Sequence, residues 1–135
     1  MTKEEKKEKE MDKIVDEVTD CASEVYKTLG AGYDEKIYQE AMAVEFRKRN
    51  LNYGIERDVE VFYKEEKVGT HRLDFIVKDA LIVELKAATK IAKSHIAQTT
   101  SYLRTLEMQK GLLINFPYPQ ADKPEINVVL SKRKI

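Results

Sequence analysis

The chain has 135 residues, enough for one domain around one core and too few for two ordinary ones. Its 24 Lys and Arg balance 24 Asp and Glu, which argues against coating nucleic acid by bulk charge but leaves room for an enzyme that grips a few phosphates. A single cysteine excludes an internal disulfide, no apolar run approaches the eighteen or so residues of a membrane span, and the charged N-terminus is unlike a signal peptide, so the expectation is a soluble, cytoplasmic protein.

Residues 1–13 form a charged N-terminal extension, almost entirely Lys and Glu, that either lengthens the following helix through Glu/Lys pairs or frays. From Ile14 the pattern is amphipathic: Ile14, Val18, Cys21, Ala22, Val25 and Leu29 recur at helical spacing, and Gly30-Ala-Gly32 stops the helix. A second helix is expected from Tyr33 or Asp34 to about Arg49, with Asp34 and Glu35 in its first turn, where the helix dipole favours negative charge. Glu35, Tyr38, Met42 and Phe46 fall on one stripe, which predicts a carboxylate at the head of a buried face. Such a group needs a partner, and a metal ion would serve.

Strand patterns follow at 56–63 and 67–77, joined by the polar turn Lys64-Glu65-Glu66. The next run, 81–87, is apolar on both faces apart from Glu84 and Lys86, which predicts a central position in the sheet. A hairpin centred on Asp79 sets Asp74 opposite Glu84, and alternation puts Lys86 on the face of Glu84 with Val83 and Leu85 on the other. Two carboxylates about 4 Å apart repel by roughly 4 kcal/mol at an effective dielectric near 20, so a fold that keeps them together supplies a cation or a proton. An all-oxygen pair suits a hard divalent ion such as magnesium or manganese. The competing reading of this stretch is a surface hairpin with solvated charges.

A third helix is expected from Ile91 or Ala92 to Glu107, with Ala92, Ile96, Thr99, Leu103 and Leu106 towards the core and His95, Gln98 and Tyr102 along one edge. Lys110 to Phe116 reads as a buried strand. Pro117, Pro119 and Pro124 confine the following segment to a loop, and Ile126 to Leu130 makes a short last strand. Lys132-Arg133-Lys134 closes the chain with positive charge, read as a solvated terminus.

Asp74, then Glu84-x-Lys86 on an adjacent strand, resembles the signature of the PD-(D/E)XK nuclease superfamily. Gly32-x-x-Glu35-x-x-Tyr38 matches the motif that names its GxxExxY branch, with further likeness at Leu29-Gly30, Tyr63-Lys64 and Val68-Gly69. Gln98-x-x-x-Tyr102 resembles the QxxxY element of exonuclease-type members, on a helix in the same position. The resemblance implies an α/β, restriction-endonuclease-like core: a central mixed sheet flanked by helices in a single domain over 1–135. It further implies metal-dependent hydrolysis of nucleic-acid phosphodiesters, DNA foremost. Asp74, Glu84 and the Leu85 carbonyl would hold Mg2+ or Mn2+, with Glu35 adding a ligand, and Lys86 would steer the attacking water. Gln98, Tyr102, His95 and Tyr38 would face the substrate or fix the site, although a lone His at a helix edge is more often structural. One cysteine and two scattered histidines build no usual zinc site. The neutral charge suggests either weak binding by the isolated domain or a larger assembly that supplies the nucleic-acid grip, and a homodimer is a further partner arrangement open to it. The alternative is a non-catalytic module on the same fold that binds nucleic acid or a protein partner.

Overall fold

The computed structural model describes residues 1–131, so Lys132-Arg133-Lys134 lies outside the described residues. The elements are helix α1 (Lys3–Leu29), helix α2 (Glu35–Lys48), strands β1 (Tyr53–Tyr63), β2 (Glu66–Val77) and β3 (Leu81–Lys86), helix α3 (Lys93–Leu106), and strands β4 (Lys110–Asn115) and β5 (Glu125–Leu130). The five strands form one sheet in the order β1-β2-β3-β4-β5, antiparallel except where α3 carries the chain over to set β4 parallel to β3. This is the α/β arrangement expected, with β3 at the centre. Among the described residues no helix is long and apolar enough to cross a membrane.

The N-terminal extension continues α1 rather than remaining apart from it. Thr2 caps the helix, its hydroxyl accepting from the Glu5 amide while the Glu5 carboxylate accepts from the Thr2 amide. Ion pairs from Lys78 to Glu10 (3.7 Å) and from Lys110 to Asp12 (3.9 Å) connect this first part of α1 to the sheet. Gly30 ends α1 at φ 77°, a left-handed conformation open to glycine. Asp34 stands just before α2 as its cap, accepting from the Ile37 amide, instead of lying in the first turn.

Two apolar clusters lie on the two sides of the sheet. One joins Ile14, Val18, Val25 and Tyr26 of α1 and Tyr38, Met42 and Phe46 of α2 to Phe75, Val77, Leu81, Val83 and Leu85. The other joins Tyr102 and Leu103 of α3 to Leu73, Ile76, Ile82, Leu113 and Val129. β1 starts at Tyr53, three residues earlier than its polar pattern suggests, because Tyr53 completes an aromatic cluster with Phe46 (5.5 Å) and Phe75 (5.8 Å).

Asn115, fully buried at the end of β4, fastens the segment that leaves β3. Its side-chain oxygen accepts from the Ala88 amide, and its nitrogen donates to the Ala88 carbonyl and to Glu125, whose carboxylate also accepts from the Ile91 amide. Asn115→Ala strands these groups and should cost about 2–4 kcal/mol in urea unfolding. Glu125→Gln, which keeps an acceptor oxygen, should cost about 1 kcal/mol or less. Equal stability of Asn115→Ala and wild type would show that the clamp carries no weight.

Candidate active site

The β2/β3 ladder registers Val77 with Leu81, Ile76 with Ile82 and Phe75 with Val83, and stops there. One step on, the carboxylates of Asp74 and Glu84 replace it. The Asp74 amide donates to Glu84 Oε1 at 3.1 Å, and the Leu85 amide donates to Asp74 Oδ2 at 2.7 Å. Each strand therefore holds the acid of the other through a backbone N–H. The irregularity extends into β1, where Glu56, beside Asp74, has a left-handed φ of 50° and is left out of the ladder between the Ile55/Phe75 and Arg57/Leu73 pairs, whose register is unchanged. Alternation breaks at this point. Strict period two groups Leu73 with Phe75 and Val77, yet Leu73 joins the α3-side cluster and the other two join the opposite one.

Glu84 is buried and Asp74 half-buried. Burial and then the neighbouring Asp74 carboxylate push the Glu84 carboxyl up to about 9, and burial likewise raises Asp74. Burial of both acids therefore favours one proton held by the pair. Lys86, half-buried and two residues on, is near enough to favour the ionised form of both, but its charge does not outweigh their desolvation. From α3, Tyr102 comes near enough to feel the pair: its hydroxyl is pushed up to about 12 by burial and by the charges of Glu84 and Asp74. The Tyr102 ring meets His71 of β2 edge-on at 4.2 Å.

The carboxylates and Lys86 thus come together as the spacing predicts, whereas other expected members do not join them. Glu35 is exposed, and among the described residues no group of three or more His, Cys, Asp or Glu side chains is close enough to hold a metal. The stripe through Met42 and Phe46 sinks only from the second turn, so Glu35, at the first helical position, stays in solvent. One turn later Gln39 is buried and reaches the Asp74 carbonyl at 3.4 Å, occupying the place assigned to Glu35. Tyr38 is buried rather than substrate-facing, its ring stacked on Phe116 at 4.2 Å and its hydroxyl donating to the Gly30 carbonyl at 2.6 Å. Gln98 is exposed, so of the QxxxY pair only Tyr102 is buried near the carboxylates. The His95 Nδ1 accepts from the Ala92 amide at 3.0 Å and so caps the helix, the structural role that a lone His at a helix edge more often has.

Gln39 and His71 were not singled out by sequence reasoning. Gln39 had a signal, since it lies four residues after Glu35 on a stripe that continues to Met42 and Phe46. His71 had none, because only the break in alternation brings it to Tyr102.

The donor set fits a hard divalent cation: two carboxyl groups converge in a half-dry notch where one of them otherwise needs a proton. The Asp74 and Glu84 carboxylates are the oxygen donors that converge at that place. Without the ion, the raised Glu84 value makes the folded state bind a proton that the unfolded chain has released. Stability should then be highest below about pH 4.5 as far as this group is concerned. It should fall towards pH 9 with a limiting slope near 1.4 kcal/mol per pH unit. In chelator-treated protein, Glu84→Gln should flatten that slope and raise the melting temperature at pH 8 by about 3–7 °C, for a gain near 1–2 kcal/mol. A pH profile unchanged by the substitution would refute the assignment.

The family model of the PD-(D/E)XK nuclease superfamily matches residues 12–129. No curated protein matches the chain. Among solved structures, the crystal structure of SSO0001 superposes with a TM-score of 0.55 at 17% sequence identity, over 73% of this chain and 50% of that one. The chain spans about half the length of that protein, and at this identity the likeness is one of fold. With the match running from α1 into β5, the chain belongs to the PD-(D/E)XK nuclease superfamily.

Proposed function

We propose that the protein is a metal-dependent nuclease of the GxxExxY branch that hydrolyses phosphodiesters of nucleic acid, DNA foremost, with Asp74, Glu84 and Lys86 as its catalytic residues. The observation that carries the reading is the exchange of backbone amides for carboxylates where the β2/β3 ladder stops, with Lys86 on the same strand. Solvated surface charges would have no reason to interrupt a ladder. Further support comes from the superfamily match and from Gly32-x-x-Glu35-x-x-Tyr38.

Asp74, Glu84 and the Leu85 carbonyl would hold Mg2+ or Mn2+, which supplies Lewis-acid polarisation of the phosphodiester and reverses the local negative charge. The Leu85 amide fixes the Asp74 carboxylate, the Asp74 amide fixes Glu84, and Gln39 steadies the Asp74 carbonyl from α2. Lys86 then places its ammonium beside the reacting phosphate, where it orients water and offsets charge that grows in the transition state. Tyr102, backed by His71, shields one side of the notch from solvent.

A second reading, a module that binds nucleic acid without cutting it, draws on the exposed Glu35, which leaves two carboxylates at the site where three were expected. Purified protein incubated with labelled single-stranded, duplex and branched DNA and RNA in manganese separates the two. Lys86→Ala should lower the cleavage rate by orders of magnitude with substrate affinity largely kept, and Glu84→Ala should abolish both cleavage and manganese binding. Cleavage by Lys86→Ala at the wild-type rate would reduce the lysine to a solvated charge. Wild type that binds but cuts none of the substrates would establish the binding module.

A further inference from the structure

On the opposite side of the β3 end from Lys86 lies a pocket of about 330 Å³, lined by Gly32, Tyr33, Ala87, Phe116 and Tyr118. Hydrogen bonds tie the segments around it in place. Tyr118 donates its amide to the Ala88 carbonyl at 3.3 Å, and Phe116 donates its amide to the Lys86 carbonyl at 2.9 Å. The Tyr26 hydroxyl donates to the Pro117 carbonyl at 2.7 Å and accepts from the Ala121 amide at 3.0 Å. Gln120 accepts from the Ala31 amide at 2.6 Å. Two loops distant in sequence are thereby fastened to each other and to the strand that carries Lys86. The floor is rigid as well: Phe116 stacks flat on Tyr38, and Tyr33 meets Tyr38 edge-on at 6.0 Å. On this fixed base, Tyr33 and Tyr118 remain 42% and 63% exposed. Gly32, at φ 102°, leaves the entrance open, with nothing within 4 Å of where a Cβ would stand.

We propose that this pocket is a nucleobase subsite that takes one unpaired base adjoining the scissile phosphate, between the rings of Tyr33 and Tyr118. The proposal rests on the nuclease reading for the phosphate it adjoins and extends it to a substrate class: single-stranded or locally unpaired nucleic acid. The volume is at the low end of ligand pockets, a size for one ring system rather than a peptide. Aromatic faces hold any base, each stack being worth about 1–3 kcal/mol. A chain of zero net charge gains little from releasing counterions of a duplex, so stacking must carry a larger share of the affinity. Backbone contacts are at hand: Lys90 and Lys93, in and just after the segment that leaves β3, are exposed and have no ion pair among the described residues. Ala87, in the pocket wall, directly follows Lys86, so pocket and lysine share the end of β3 on its two faces, and a nucleic-acid strand that turns over that end would reach both.

The test uses single-stranded oligonucleotides with 5-iodouracil at successive positions, bound to Lys86→Ala protein in manganese, irradiated and mapped by peptide mass. Cleavage of the same oligonucleotides by wild type is followed separately. One position should cross-link to Tyr33 or Tyr118, and affinity for single strands should exceed that for a duplex of equal length. Tyr118→Leu and Tyr33→Ala should weaken single-strand binding about 5- to 150-fold with melting temperature unchanged, while Tyr118→Phe, which keeps the ring, binds as the parent. Cross-linking without wild-type cleavage would sustain the pocket and overturn the nuclease reading. Cleavage with no cross-link to either tyrosine, or with Tyr118→Leu binding as the parent, would overturn the pocket and leave the nuclease reading intact.

Discussion

The site depends on a refusal of two strands to finish their ladder. β2 and β3 pair normally through Phe75 and Val83, and at the next step Asp74 and Glu84 take over, each accepting a backbone amide of the other strand. Burying two acids side by side is unfavourable, and the molecule keeps them there by satisfying one oxygen of each with an N–H and by leaving one proton on the pair. This local cost is tolerable because the sheet around it is apolar and tightly packed on both sides. A proton trapped between two acids is also the state most easily displaced by a small, hard cation.

Much of the surrounding structure holds that arrangement still. α2 sends Gln39 to the Asp74 carbonyl, and α3 brings Tyr102 near the pair. Lys36, from the same turn of α2 as Gln39, pairs with Glu56 and keeps the neighbouring acid of β1 ionised, its carboxyl held below the usual range. Beyond Lys86 the Asn115–Glu125 clamp and the Tyr26–Gln120 ties fix both loops at the end of the strand. Charge on one side of β3 and aromatic faces on the other thus meet at a single edge of the sheet.

The element order, the central β3 and the convergence of Asp74, Glu84 and Lys86 were legible because they follow from periodicity, and periodicity is local. Two kinds of feature were not. The depth at which a helix stripe enters the core depends on how the helix docks, so the stripe through Met42 identified the right face but not that burial begins after Glu35, at Tyr38 and Gln39. Departures from regular structure are equally hidden: the left-handed Glu56 and the break in alternation that follows bring His71 and Leu73 to the α3 side, whereas period two would leave them with Phe75 and Val77 on the other. Asn115 reads as an unremarkable polar residue at the end of a strand until its partners Ala88 and Glu125 are known. Tyr38 shows the reverse case, a motif residue whose hydroxyl and ring are both consumed in holding Gly30 and Phe116.

The central claim is that Asp74 and Glu84 act as one unit that holds either a proton or a divalent cation. Titrating manganese into the protein by calorimetry at pH 7, in buffers of different ionisation enthalpy, measures the exchange directly. The account predicts release of close to one proton per ion bound, fading as the pH rises through about 9 and absent in Glu84→Gln. Manganese binding at pH 7 with no proton released, or undiminished in Glu84→Gln, would contradict it.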